Sequence, residues 1–430
     1  MHRHDLLRQQ AHPLKVAGAM IEARLHNVRI GEICDVCSSW DKASVVSRAV
    51  VLGFREDITV LGVIGSVQGL SRKMVISPTG EEFAVKVSSA LIGSVLTPSG
   101  KVIERFCATY THDDYEVRSA QSSPLPWNER SPISTPFLTG VRAIDGLIRC
   151  GRGQRMGIFA AAGCGKTTLM QMIINNADAD IFVVALIGER GREVTEFVNE
   201  LRASGYGHKC IVIYATSDFS ALDRANAASV AMTVAEFFRD KGKNVVLFMD
   251  SVTRYARALR DIALMSGEPP ARRGYPASVF ERLPLLLERP GAASEGSITA
   301  FLTVLVENEE ESDPVTEEIR SIIDGHIILS RKLAAKNHYP AIDVLKSISR
   351  VSQRVSSQNE LLAAGKFRAL MADIEELQVL IDFGEYQSGV NPEHDIAYKK
   401  KDLVGQFLCQ NINEQCNEND MWNLMDEVVS

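Results

Sequence analysis

A chain of 430 residues is too long for one ordinary core and predicts two or three domains, one of them large. Its 45% hydrophobic and 23% charged residues suit an ordinary soluble protein, and a net charge of −7 argues against a generic nucleic-acid binder, whose phosphate contacts need a basic face. The eight cysteines form no paired framework, and no signal-peptide core or run near ~20 apolar residues stands out, so a cytoplasmic protein with only peripheral membrane contact is expected.

In chain order, residues 1 to about 12 are polar and read as a flexible tail, either a frayed end or a docking segment. From Ile30 to about Val85, short β-type runs such as Val45 to Phe54 and Ile58 to Ile64 alternate with glycines, the spacing of a small barrel. Cys34 and Cys37 have no second pair or histidine cluster to complete a zinc site and are expected as half-buried strand residues. Residues 110 to 136, rich in Ser, Pro and charge, read as an extended loop.

Gly157 to Thr168 then gives an apolar strand, a small-residue turn and Gly165-Lys166-Thr167 opening a helix. A triphosphate needs a concave row of backbone N–H donors, a lysine for its β/γ-phosphates and a hydroxyl for Mg²⁺. Ala162, Gly163, Cys164, Gly165 and Thr168 would line that row, with Lys166 and Thr167 in the other two roles. Ala160 stands where the consensus has glycine, so the match is the relaxed form. Cys164 reads as a tolerated spacer whose thiol would make the loop sensitive to alkylation.

Strands ending in Gly188, Ser217 and Asp250 alternate with helices, among them one from about Ser220 to Asp240, which is the pattern of a mostly parallel sheet with ligands at its carboxyl ends. Glu189 follows one buried strand and is assigned to polarise the attacking water; Asp250 caps another and is assigned to Mg²⁺ as the Walker B carboxylate. Competing structural roles are a surface ion pair of Glu189 with Arg190 or Arg192, and a helix cap at Asp250. Glu193 would orient Arg190 or support the site from behind. Further strands are expected at Ile298 to Val306 and His326 to Ser330. After about Val355 two helical stripes follow, Phe367-Leu370-Ile374-Leu377-Ile381 and Met421-Leu424-Met425-Val428, with the Lys399-Lys400-Lys401 run as a solvated face or a partner contact.

Three runs, Gly188-Glu-Arg-Gly-Arg-Glu193, Asp250 to Arg260 and Tyr339-Pro-Ala-Ile-Asp343 through Arg350, resemble the rotary-type ATPases. The segment Gly267 to Phe280 is similar to that of the flagellar and type III secretion ATPases, and Cys150, the Ala-Gly-Cys-Gly-Lys-Thr loop and Glu189 to Phe197 look like the injectisome branch. The resemblance implies an α/β, RecA-like P-loop core with a mostly parallel sheet (86–353) between an N-terminal β-barrel with its tail (1–85) and a C-terminal helical domain (354–430). It implies ATP and Mg²⁺ as cofactors, Lys166 and Thr167 on the nucleotide, Glu189 as catalytic carboxylate, Tyr339 against the adenine, and Arg350 as an arginine finger reaching a neighbouring subunit.

A guanidinium supplied in trans makes a lone subunit an incomplete enzyme, so the family reading is a homohexamer. Arg272, Arg273 and Tyr275 would then face the central pore. The partners implied are stator and central-stalk proteins, chaperone-client complexes and the export gate, with peripheral contact at the inner membrane and no nucleic acid. Cutting after about Gln387 is expected to remove partner binding before nucleotide binding. A flagellar export ATPase, a non-catalytic nucleotide-binding ring subunit and a ring helicase are the alternative readings; Glu189 with Arg350 argues against the second, and the acidic chain without an aromatic-basic platform in the barrel disfavours the third.

Overall fold

The computed structural model describes residues 9–40, 44–107, 115–306 and 313–430; the first eight residues of the expected tail and 110–114 of the expected loop lie outside them. Strands Pro13–Ala17, Met20–Ala23, Glu32–Cys37, Val45–Arg55, Ile58–Ile64 and Val75–Glu82 form one antiparallel sheet. Ala11, just ahead of the first strand, exchanges both backbone hydrogen bonds with Ile76 of the last (3.1 and 2.8 Å), which joins the two edges of the sheet. Gln9 to His12 are therefore tied to the barrel rather than frayed: His12 Nδ1 lies 2.7 Å from the Met74 carbonyl. Cys34 and Cys37 are fully buried, not half-buried: Cys34 sits in the barrel core with Val36, and a bulge between Val36 and Cys37 interrupts the alternation before Cys37. Burial pushes the Cys34 thiol up to about 12, so it is inert packing.

The expected loop 110–136 holds an element of its own. Glu116–Ser119 pairs antiparallel with Ala84–Val87, a pairing made by backbone groups that its side chains, three polar and none fully buried, gave no sign of.

The central sheet has nine strands, in the spatial order Ile342–Ser349, Gly325–Leu329, Arg155–Ala160, Ser297–Leu305, Asn244–Asp250, Ile181–Ile187, Cys210–Ala215, Ser94–Leu96 and Val102–Arg105. All neighbours are parallel except the pair at each edge. Both faces are covered, so the strands read as unbroken apolar runs: Val183, Ala185 and Ile187 point into one core with helices Ala221–Asp240, Val252–Ser266 and Ala277–Leu287, and Phe182, Val184 and Leu186 into the other. Helix Ala221–Asp240 starts where Ser220 Oγ accepts the Asp223 N–H (3.1 Å). Its Asp223 also accepts the N–H of Gly65, and Gly62 lets Leu222 approach so closely that a Cβ there would stand 2.3 Å from Leu222 Cδ1; together these seat the barrel on the sheet.

The second core includes the C-terminal helices Gln358–Asp382, Pro392–Leu408 and Glu418–Val429. Phe367 and Phe407 are fully buried with ring centroids 4.9 Å apart, beside Ile144, Met170 and Ile173. Of the second stripe Met421, Met425 and Val428 are buried, while Leu424 is 39% exposed. Lys400 and Lys401 are engaged within the domain, donating to the Val428 carbonyl (2.8 Å) and Gln378 Oε1 (2.6 Å). Cutting after Gln387 would strip side chains from the core of the nucleotide domain, so loss of partner binding alone is no longer the expected result.

Phe407→Ala should lower the stability of the chain by about 3–5 kcal/mol through the cavity it opens. Urea unfolding followed by circular dichroism tests this; a loss below about 1 kcal/mol would mean that the C-terminal helices fold as a separate unit.

Candidate functional site

Arg155–Ala160 runs into a turn whose two glycines, Gly163 (φ +80°) and Gly165 (φ +81°), hold left-handed backbone that a side chain would strain. Helix Lys166–Asn176 follows with no side-chain cap, leaving its first N–H groups directed at the loop. Ala162, Gly163 and Thr167 are exposed there, and the Thr167 hydroxyl has no partner among the described residues. Cys164 departs from expectation: at 1% exposed it packs into the core beneath the loop, so ready alkylation is not supported.

Three sheet strands bring the charges together. Lys166 Nζ lies 2.6 Å from Asp250 Oδ1 and 3.5 Å from Glu189 Oε1. Thr303, on the strand between those of the loop and Asp250, donates its hydroxyl to Asp250 Oδ1 (2.7 Å). Arg254 holds Glu189 Oε2 at 2.9 Å and also donates to the Gly188 carbonyl. Glu189 Oε1 is buried and accepts no hydrogen bond. Burial raises both carboxyls above their ordinary range; the nearby Glu193 adds to this at Glu189, and Lys166 opposes it at both.

The structural alternatives for these carboxylates are excluded. Arg190 faces Glu193 (3.7 Å) and Arg192 faces Glu196 (2.7 Å) on the exposed helix beyond, and Ser251, not Asp250, caps helix Val252–Ser266. Arg254 and Thr303 hold the two carboxylates in place, and sequence reasoning missed both. Arg254 lies inside the Asp250 to Arg260 run and could have been found by helical spacing, but Thr303 carries no local signal.

Tyr339 lies over the loop: a Cβ on Gly165 would stand 3.0 Å from its ring. Beside it is a cavity of about 380 Å³ lined by Thr168, Asn337, Tyr339, Cys409, Gln410, Asn411 and Ile412. Arg350 is elsewhere. Its neighbour Ser349 pairs with Gly325, which lies opposite Met156 at the far end of the loop strand, so exposed Arg350 is roughly 13 Å of strand or more from its own phosphate loop. Tyr275, expected at a pore, is buried under the Arg260 guanidinium (5.4 Å from the ring centroid), while Arg272 and Arg273 are exposed.

Residues 140–349 match the nucleotide-binding domain of the ATP synthase alpha/beta family, 14–80 its beta-barrel domain, and 356–427 the T3SS EscN ATPase C-terminal domain. The SPI-1 type 3 secretion system ATPase of Salmonella typhi is 56% identical over 94% of each chain. The chain belongs to the type III secretion ATPases. Its fold is also that of the assembled ATPase EscN from the enteropathogenic E. coli type III secretion system (TM-score 0.89, 44% identity, 98% of this chain and 100% of that one), and of EscN in complex with its central stalk EscO (TM-score 0.88, 43% identity, the same coverage). The loop and the carboxylate cluster described above both fall within the matched nucleotide-binding domain, at the carboxyl ends of the sheet.

Removing Lys166 would leave two buried carboxyls without their shared cation and raise their folded pKa values further. A raised carboxyl pKa gives stability that is complete below the unfolded value and lost as pH rises through the folded one. Nucleotide-free Lys166→Ala should therefore melt close to the wild type near pH 4 and fall progressively below it toward pH 8, by about 1–3 kcal/mol. Calorimetry across that range tests this, and a deficit independent of pH would contradict it.

Proposed function

We propose that this ATPase hydrolyses MgATP at sites shared between neighbouring copies in a closed homohexamer, and that the work releases chaperones from secreted proteins and unfolds them at the export gate. The observation that carries the reading is the division of the machinery: Lys166, Asp250 and Glu189 converge on one loop, while Arg350 stands exposed at the opposite end of the sheet. A cation so placed is out of reach of its own loop and free to reach a neighbour's site, where it would offset transition-state charge.

Within one copy, a triphosphate in the loop offers Lys166 an anion in competition with Asp250, and the uncapped helix N-terminus takes the phosphate oxygens. Asp250 and the free Thr167 hydroxyl would hold Mg²⁺, which neutralises charge on the β- and γ-phosphate oxygens. The donor set fits: both are hard oxygen ligands, and among the described residues no cluster of three or more ligating side chains competes, in keeping with an ion that relies on phosphate and water. Arg254 fixes one oxygen of Glu189, which leaves the orphaned Oε1 to accept a hydrogen bond from the attacking water and align it. Tyr339 and the adjoining cavity take the adenine.

The central stalk bound by EscN supports a stalk partner here. Stator proteins and chaperone-client complexes are placed at the C-terminal helices, whose connecting tip exposes Phe383 (77%) and Val390 (74%). No helix among the described residues is long and apolar enough to cross a membrane, and inner-membrane contact is proposed as peripheral, on a cytoplasmic protein.

Glu189→Gln and Arg350→Ala should each lower turnover by at least about 10²-fold while leaving nucleotide affinity within a few-fold. Mixing the two inactive proteins should restore measurable hydrolysis, because some interfaces then pair an intact Glu189 with an intact Arg350. No recovery in mixed rings would refute the shared site, and full activity of Glu189→Gln alone would refute the assignment of the water-aligning carboxylate.

A further inference from the structure

Four of the seven residues around the Tyr339 cavity, Cys409 to Ile412, belong to a segment with no regular structure, so its shape is set by whatever grips its backbone. One side chain does most of this. Arg142, 6% exposed in the first turn of helix Arg142–Leu147, directs its guanidinium at the end of helix Pro392–Leu408, donating to the carbonyls of Phe407 (3.0 Å), Gln406 (3.2 Å) and Cys409 and pairing with Glu414. Its own N–H donates to Gln410 Oε1 (2.9 Å). Gln410, itself 5% exposed, spends its amide on the carbonyls of Gly140 (2.8 Å) and Glu414 (3.0 Å), and its backbone N–H on the carbonyl of Tyr339 (3.0 Å). A continuous chain of hydrogen bonds thus runs from Arg142 through Gln410 to the residue beside the phosphate loop.

We infer that Arg142 is a positioning residue for recognition of the nucleotide base: it fixes the wall of the cavity that Cys409 to Ile412 supply, without itself lining that cavity. The inference rests on the reading of this cavity as the base cleft. A fixed cation on three carbonyls at a helix end satisfies acceptors that have no partner within the helix and complements the helix dipole, so the wall is preorganised before any nucleotide arrives. It follows that Arg142 contributes to binding of ligands that carry a base and is indifferent to ligands that are phosphate alone.

The test compares, by titration calorimetry on the full chain with Mg²⁺, the affinities for ATP and for inorganic tripolyphosphate. Arg142→Met should weaken ATP about tenfold and tripolyphosphate less than about twofold, the loss expected when hydrogen bonds from a charged donor are removed from the base wall only. Equal weakening of both ligands, or none of either, would overturn the proposal. If Arg142→Met does not fold, Glu414→Gln, which loosens the same network from its solvent side, should weaken ATP about threefold with tripolyphosphate unchanged, and an unchanged ATP affinity overturns the proposal equally. Tyr339→Ala separates the two levels. Should it leave the preference of ATP over tripolyphosphate intact, the base-cleft reading itself fails, whereas a lost preference there with an unaltered one in Arg142→Met removes Arg142 alone.

Discussion

The site depends on one arrangement of opposite charges, the Lys166 ammonium held at 2.6 Å from Asp250 and 3.5 Å from Glu189 in a setting that is largely shut off from water. Loss of hydration raises both carboxyls above their usual range, and like charge adds to it, from Glu193 at Glu189 and from Glu189 at Asp250. The lysine makes the cluster tolerable in the absence of ligand, and the second cation, Arg254, completes the balance at Glu189. The balance is poised rather than closed: Glu189 Oε1 remains without a hydrogen bond, and a buried polar atom left in that state is costly unless something else satisfies it.

The sheet imposes the second constraint. Parallel strands place every carboxyl end on one edge, so the loop after Arg155–Ala160, Glu189 after Ile181–Ile187, and Asp250 at the end of Asn244–Asp250 share that edge without any side chain having to reach across the fold. The edge strand Ile342–Ser349 runs the other way. Its start brings Tyr339 to the loop and its end carries Arg350 to the opposite edge. One strand thus places two residues eleven positions apart in sequence at opposite edges of the sheet, Tyr339 beside the loop and Arg350 out of its reach.

Legibility in the sequence follows from how locally each feature is encoded. The phosphate loop, Glu189 and Asp250 each follow an apolar run directly, and a buried parallel strand announces itself by such a run, so both the elements and the residues at their ends could be read. Thr303 could not, because it matters only through a strand neighbour 53 residues away. Nor could the Arg142 to Gln410 contact, which spans 268 residues. Pattern reading also failed where the backbone supplies the specificity: the bulge between Val36 and Cys37 leaves no mark in the alternation of side chains, and the Glu116–Ser119 pairing offers Val117 as its one apolar residue. The stripe on the last helix was legible except for Leu424, where apolar character and helical spacing both favoured burial and the packing of three helices left that position outside.

The shared core on the second face of the sheet ties the C-terminal helices to the phosphate-loop helix. Met170 and Ile173, on the helix that begins with Lys166, lie in the same core cluster as Phe367, Phe407 and Met425 of the C-terminal helices, and Gly146 admits Phe407 and Met425 so closely that a Cβ would meet them at 3.1 and 2.8 Å. Close-packed interiors shift as units rather than deform smoothly, so a displacement of the phosphate-loop helix has no soft layer in which to dissipate before it reaches those helices. The C-terminal helices are thus tied to the phosphate-loop helix by packing, and to the cavity beside Tyr339 by the segment Cys409 to Ile412. The two helices that flank exposed Phe383 and Val390 are each rooted at their other end, through Phe367 and through Val404, Phe407 and Leu408, in the core that includes the phosphate-loop helix.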